Sequence, residues 1–134
     1  MANAPAEAVD ITLDMALRLY GLIFGISPQQ AHDQLRSIAA LEGALVRPVF
    51  YQEYERADFA RMAAVLAHGI AERQPFLDGN KRLAFNCPWF FLAVNGYTLD
   101  ASDQNVAAWT LELSQNLNVD GLAALLASHL RDAE

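Results

Sequence analysis

The chain has 134 residues, 54% of them apolar, and its 16 acidic side chains outweigh 9 lysines and arginines for a net charge of −7. That size and apolar content fit one domain with a buried core and exclude bulk disorder. The acidic balance disfavours general DNA or RNA binding, and no run of about 18 apolar residues offers a membrane span.

Residues 1–8 read as a flexible tail ahead of one domain over 9–134. The N-terminus lacks the basic and apolar blocks of a secretory signal. Cys87 is the only cysteine, so no internal disulfide can form. Both features point to a cytoplasmic protein, with Cys87 a small buried helix residue. From about Asp10, Ile11, Leu13, Ala16, Leu17, Leu19 and Tyr20 approximate a helical stripe that Gly21 and Gly25 weaken at its end. Ser27-Pro28 is a cap followed by a first-turn proline, which predicts a second helix from Pro28 to about Leu41. Residues 43–54 are less regular. Pro48 interrupts them and Val49-Phe50-Tyr51 favours extended backbone, so a flap or short strand is expected there.

Residues 56–73 predict a strong helix, with Phe59, Met62 or Ala63, Leu66 and Ile70 on one face. Pro75 stops it by pushing its predecessor out of helical geometry. A turn leads to a helix from about Asn80 to Val94, closed by Asn95-Gly96, with Pro88 expected to kink or split it. Ser102 or Asp103 caps a further helix to about Ser114. Asp120 begins the last, with Leu122, Leu125, Leu126, His129 and Leu130 as its apolar face. The fold class is all-α, a compact helical bundle.

The turn, Gln74-Pro-Phe-Leu-Asp-Gly-Asn-Lys-Arg82, carries the chemistry. It places an acid, a glycine and two adjacent cations at a helix start, where backbone N–H groups are unpaired. That combination suits a phosphate-rich, metal-bound ligand. Lys81 is the chain's only lysine. Cations at a helix N-terminus oppose the macrodipole, so two of them there favour an anion as partner. Gln74 is discordant: a proton-transfer site needs a titratable group, and position 74 offers an amide.

Phe76, Asp78, Gly79, Asn80, Lys81 and Arg82 resemble the Fic/Doc family signature, His-x-Phe-x-Asp/Asn-Gly/Ala-Asn, in the Lys-Arg form of its death-on-curing (Doc) branch. The likeness extends to residues 41–48 (Leu-Glu-Gly-Ala-Leu-Val-Arg-Pro), 67–71 and 94–97, and spans roughly residues 35–131. It implies a helical bundle with the motif loop between two central helices. It implies ATP or another nucleoside triphosphate with Mg²⁺ as cofactors, and transfer to a protein hydroxyl. In the Doc branch this is transfer of the terminal phosphate to a threonine of elongation factor Tu, which arrests translation. In the Fic branch it is transfer of AMP. Doc-like toxins are paired with an antitoxin chain, here expected to be DNA-binding.

On this resemblance Asp78 would hold Mg²⁺, unless it merely caps the helix. The N–H groups of Gly79 and Asn80 would face phosphate oxygens, and Asn80 would fix the loop or touch phosphate. Lys81 and Arg82 would balance the charge of the transferring group, and Phe76 would plug the loop into the core. Gln74 stands where the family has its catalytic histidine. It cannot act as a base, which implies either a disarmed enzyme or a pseudoenzyme acting by binding a partner. No histidine substitutes in sequence: His68 falls on the far side of its helix, His129 in an apolar stripe and His32 on an early helix. Lys81, where the Fic form has glycine, disfavours AMP transfer. Ser37 and Glu42-Gly43 lie one residue too far apart for the family's self-inhibitory motif, so inhibition is expected from a separate chain.

Overall fold

The computed structural model describes residues 7–102, 104–105, 108–109 and 118–133. In chain order the elements are α1 (Leu13–Phe24), α2 (Pro28–Asp33), α3 (Ile38–Leu45), α4 (Arg47–Glu55), α5 (Phe59–Arg73), α6 (Asn80–Val94), β1 (Tyr97–Leu99), α7 (Val119–His129) and β2 (Leu130–Asp132). The fold is a compact, nearly all-helical bundle. The antiparallel β1–β2 pair, with Tyr97 opposite Asp132 and Leu99 opposite Leu130, ties off its end.

α5 is the axis. Asp58 caps it by accepting the Arg61 N–H, and ten of its fifteen residues are buried, among them Met62 to Ala67 without a break. A helix apolar nearly all round belongs in the middle of a bundle, and α3, α4, α6 and α7 all pack on it. The predicted face of Phe59, Met62, Ala63, Leu66 and Ile70 is buried. The helix starts at Phe59, three residues later than expected, because Arg56 takes a left-handed conformation (φ 54°) that ends α4.

Two expectations fail here. The single helix from Pro28 to Leu41 is two, α2 and α3, broken at residues 34–37. Ser27 caps α2 in a reciprocal capping box with Gln30. The break allows Leu35 to pair with Phe76 as an isolated bridge, a tertiary contact that local propensity does not encode. The expected flap over 43–54 is instead the end of α3 and most of the helix α4. Pro48 is the second residue of that helix, tolerated because the first turn has no use for its missing N–H. Val49 joins the helix although β-branched, and its N–H is bonded by Asp10.

α6 runs as one helix through Pro88, so of the expected kink or split the split does not occur. Cys87, Pro88, Phe91 and Leu92 are all buried, and their packing carries the helix past the lost bond. Burial pushes the Cys87 thiol up to about 12, so it supplies no thiolate. The helix expected from Ser102 or Asp103 falls mostly outside the described residues. Residues 104, 105, 108 and 109 are helical, and Ser102 Oγ accepts the Asn105 N–H. At the other end Ala8 is buried and its N–H donates to Gln52. Among the described residues no helix is long and apolar enough to cross a membrane.

Candidate functional site

The loop between α5 and α6 is short and held from several sides. Gln74 ends α5 in the left-handed region (φ 48°, ψ 62°), its N–H donating to Ile70 O. Phe76 is 1% exposed and stacks on Tyr20 with ring centroids 4.0 Å apart and planes 13° from parallel. Asn80 pairs with the Phe76 peptide twice: Oδ1 accepts its N–H and Nδ2 donates to its carbonyl, each at 2.9 Å. Both ends of that amide are occupied, so Asn80 fixes the loop.

The α2–α3 connection runs alongside. Leu77 N–H donates to Gln34 O at 2.8 Å, and the N–H groups of Arg36 and Ser37 donate to Pro75 O at 2.7 and 3.1 Å. The Arg36 guanidinium reaches Gln74 O and Arg73 O, where a cation also suits the C-terminal end of α5. From α1, the Tyr20 hydroxyl donates to Asp78 O at 3.0 Å. Burial, and then the charge of Asp78, push the Tyr20 pKa up, so the hydroxyl keeps its proton and remains a donor.

At the start of α6 no side chain caps the helix; Gly79 is the N-cap (φ 81°). Asp78 therefore does not fill the capping role that sequence left open to it. Its Oδ1 accepts the Gly79 N–H at 2.8 Å, so that donor is engaged, contrary to expectation. Among the described residues the free donors are the N–H groups of Asn80, Lys81 and Arg82, which precede the first intrahelical bond, Leu83 N–H to Gly79 O. Gly79 is needed on two counts: its φ suits glycine, and an added Cβ would lie 2.3 Å from Phe24 Cζ.

The two cations part company. Lys81 is exposed and makes no ion pair among the described residues. Arg82 rests over the Phe24 ring, 4.6 Å from its centroid, with Nη2 3.4 Å from Ile23 O. That carbonyl belongs to the last turn of α1, which has no basic residue of its own. The argument that the two cations favour an anion is thereby weakened for Arg82, which already has a negative helix end and an aromatic face to rest on.

Residues 10–92 match the family model described as the Fic/DOC family. The chain belongs to the Fic/DOC family. Its members are known for nucleotide-dependent transfer, as AMPylation or phosphorylation. Among solved structures, it is similar to the BepC protein of Bartonella tribocorum, a VirB-translocated effector with bound AMPPNP. The identity is 15% and the TM-score 0.45, over 70% of this chain and 50% of that one. The chain thus spans about half the length of that protein. No curated protein matches the sequence.

Within this Fic/DOC loop Asp78 is the carboxylate available to a metal. Among the described residues no three His, Cys, Asp or Glu side chains gather into a metal site. One carboxylate with an unengaged oxygen beside unpaired phosphate-type donors fits Mg²⁺, which takes one or two carboxylates and completes its shell with water and phosphate. The Gln74 side chain is exposed, and no hydrogen bond or ion pair joins it to a histidine. His68 faces Glu72 at 3.9 Å, and His129 Nδ1 lies 2.7 Å from Asp100 O and edge-on to Trp109. Glu42 is exposed and forms no ion pair among the described residues. Its neighbour Gly43 sits under Arg73, whose Nη1 would be 2.6 Å from an added Cβ.

Sequence reasoning missed Tyr20, Phe24 and Arg36. Tyr20 counted only as part of an apolar stripe, and Arg36 as one more position in a helix that is broken there. Neither carries a local signal, because each acts across 38 or more residues of sequence.

Proposed function

We propose that this chain is a Doc-like member of the family, built for nucleotide-dependent phosphoryl transfer to a Ser or Thr hydroxyl of a protein and impaired by Gln74. The observation that supports the reading is the start of α6. There the unpaired N–H groups of Asn80, Lys81 and Arg82 and the free Lys81 ammonium form an anion cradle beside Asp78. Phosphoryl transfer relies on positioning and electrostatic stabilisation, and these groups supply both. Mg²⁺ on Asp78, when bound, would neutralise phosphate oxygens. Lys81 would act as a point charge, and Arg82, leaving Phe24, would grip two oxygens. Gln74 can hydrogen-bond an incoming hydroxyl but cannot take its proton.

The test is Gln74→His. General-base catalysis contributes about 10²–10⁴ in rate, so the substitution should raise transfer by that factor with little change in MgATP affinity. Labelled ATP should mark a protein, with elongation factor Tu the first candidate, from the terminal phosphate. Label from the α-phosphate would indicate AMP transfer instead. A Gln74→His chain that binds MgATP and labels nothing from either position would end the transferase reading.

Gln74 itself favours a second reading, a pseudo-Fic/Doc protein that binds without transfer and acts through an antitoxin or regulatory chain. Co-purification of a small DNA-binding chain expressed from the same transcript tests that partner. Its absence, with transfer seen in the unaltered chain, would remove this reading.

A further inference from the structure

Residues 73, 74 and 75 present three successive carbonyls, and residues 36 and 37 take all three. The Arg36 Nε and Nη2 both bond Gln74 O, and Nη2 also reaches Arg73 O at 3.3 Å. Pro75 O receives the backbone N–H groups of Arg36 and Ser37. The peptide so gripped holds one of only two non-glycine residues with positive φ among the described residues. That conformation is costly for most side chains, though Asn, Asp and His enter it more readily. No side chain of the loop itself stabilises it: Asn80 is spent on Phe76, and the Gln74 amide has no partner among the described residues.

We propose that Arg36 is the positioning residue for position 74. Its planar fork spans two adjacent carbonyls and locks residue 74 in the left-handed region, and φ and ψ there fix the direction in which the side chain leaves the backbone. Lysine, a point charge, cannot span both acceptors. The residue at position 74, whatever its identity, is therefore aimed from α2–α3, and the competence of a base placed there depends on a side chain 38 residues away whose bonds are to the backbone carbonyls of residues 73 and 74. The kinetic part of this inference rests on the transferase reading; the conformational part does not.

Two measurements separate them. In the chain as it stands, NMR should show at Gln74 the strong intraresidue HN–Hα cross-peak that positive φ produces. Arg36→Ala and Arg36→Lys should both weaken it while the remaining spectrum stays folded. Its persistence in both variants would overturn the inference. In the Gln74→His chain, adding Arg36→Lys should lower kcat by about 10- to 100-fold, the order expected when a reacting group is misaimed. KM for MgATP should change by less than about twofold. A loss confined to KM, or one that tracks lowered thermal stability, would assign Arg36 a merely structural role. If Gln74→His with Arg36 intact transfers nothing, the transferase reading falls and the NMR result alone decides the positioning.

Discussion

The two ends of α6 use one device for opposite purposes. At each, an asparagine pairs both the N–H and the C=O of a passing residue: Asn80 with Phe76, Asn95 with Val9. At each, a glycine with positive φ makes the turn, Gly79 at 81° and Gly96 at 90°. The C-terminal end is closed. Asn95 also bonds Phe91 O, its own N–H returns to the last turn, and no charge sits there. The N-terminal end is fixed just as firmly through Asn80 and Phe76, yet it leaves three backbone donors and an unpaired lysine facing solvent. Rigidity with unspent donors is what the proposed anion cradle requires. Rigidity with everything spent marks a strap.

The glycines should separate the ends most sharply. Gly79→Ala meets both the left-handed penalty and a collision with Phe24, whereas Gly96→Ala has nothing within 4 Å. Urea denaturation should give a loss of about 3–4 kcal/mol for Gly79→Ala against about 1–2 for Gly96→Ala. Phe24→Ala in the Gly79→Ala background should recover the steric share. Equal losses at the two glycines would mean that Phe24 gives way freely and that the N-terminal end is not tightly built.

The asparagines come next. Asn80→Ala strands the N–H and C=O of a residue that is 1% exposed. Two buried unsatisfied groups predict a loss of about 2–3 kcal/mol. Val9 is 55% exposed, so water can replace Asn95, and Asn95→Ala should cost about 1 kcal/mol or less. Only Asn80→Ala should also abolish pyrophosphate binding by calorimetry. Parity between the two would show that Phe76 does not depend on Asn80.

That contrast also explains what the sequence could disclose. Phe76, Asp78, Gly79, Asn80, Lys81 and Arg82 are contiguous, so their grouping survives in one dimension. α5 and α6 were legible because a 3.6-residue stripe, Pro75 and Asn95-Gly96 mark them locally. The α2–α3 break was not, since it exists to pair Leu35 with Phe76 and to deliver Arg36 to Gln74. α4 was misread because Pro48, which would interrupt a helix interior, falls in its first turn, while Val49-Phe50-Tyr51 locally favour extended backbone. The supports of the loop reach it across the fold, from Tyr20 and Arg36.

A smaller effect tests the anion cradle itself. Lys81 opposes the α6 dipole without a partner, so Lys81→Met in phosphate-free buffer should stabilise the chain by about 0.3–1 kcal/mol. Added pyrophosphate should raise the melting temperature of the unaltered protein by mass action. It should raise that of Lys81→Met much less, and that of Asn95→Ala as much as the unaltered protein. A stabilising response to pyrophosphate that Lys81→Met leaves intact would remove Lys81 from the cradle.

The smallest effect belongs to the strap that Asn95 holds. Asp10 follows Val9, and its Oδ1 is buried without a partner among the described residues. Burial raises its pKa above 3.8, outweighing the bond from Val49 N–H that lowers it. Between 3.8 and the raised value the folded chain binds more protons than the unfolded one, so stability falls as pH rises through that window and the deficit is complete above it. Asp10→Asn keeps an acceptor for Val49 and carries no charge to desolvate. Its melting temperature relative to the unaltered chain should therefore be most favourable at pH 7, and the advantage should shrink as pH is lowered toward 4. An advantage that grows in acid would mean that Asp10 is held by its charge at the start of α4 rather than burdened by it.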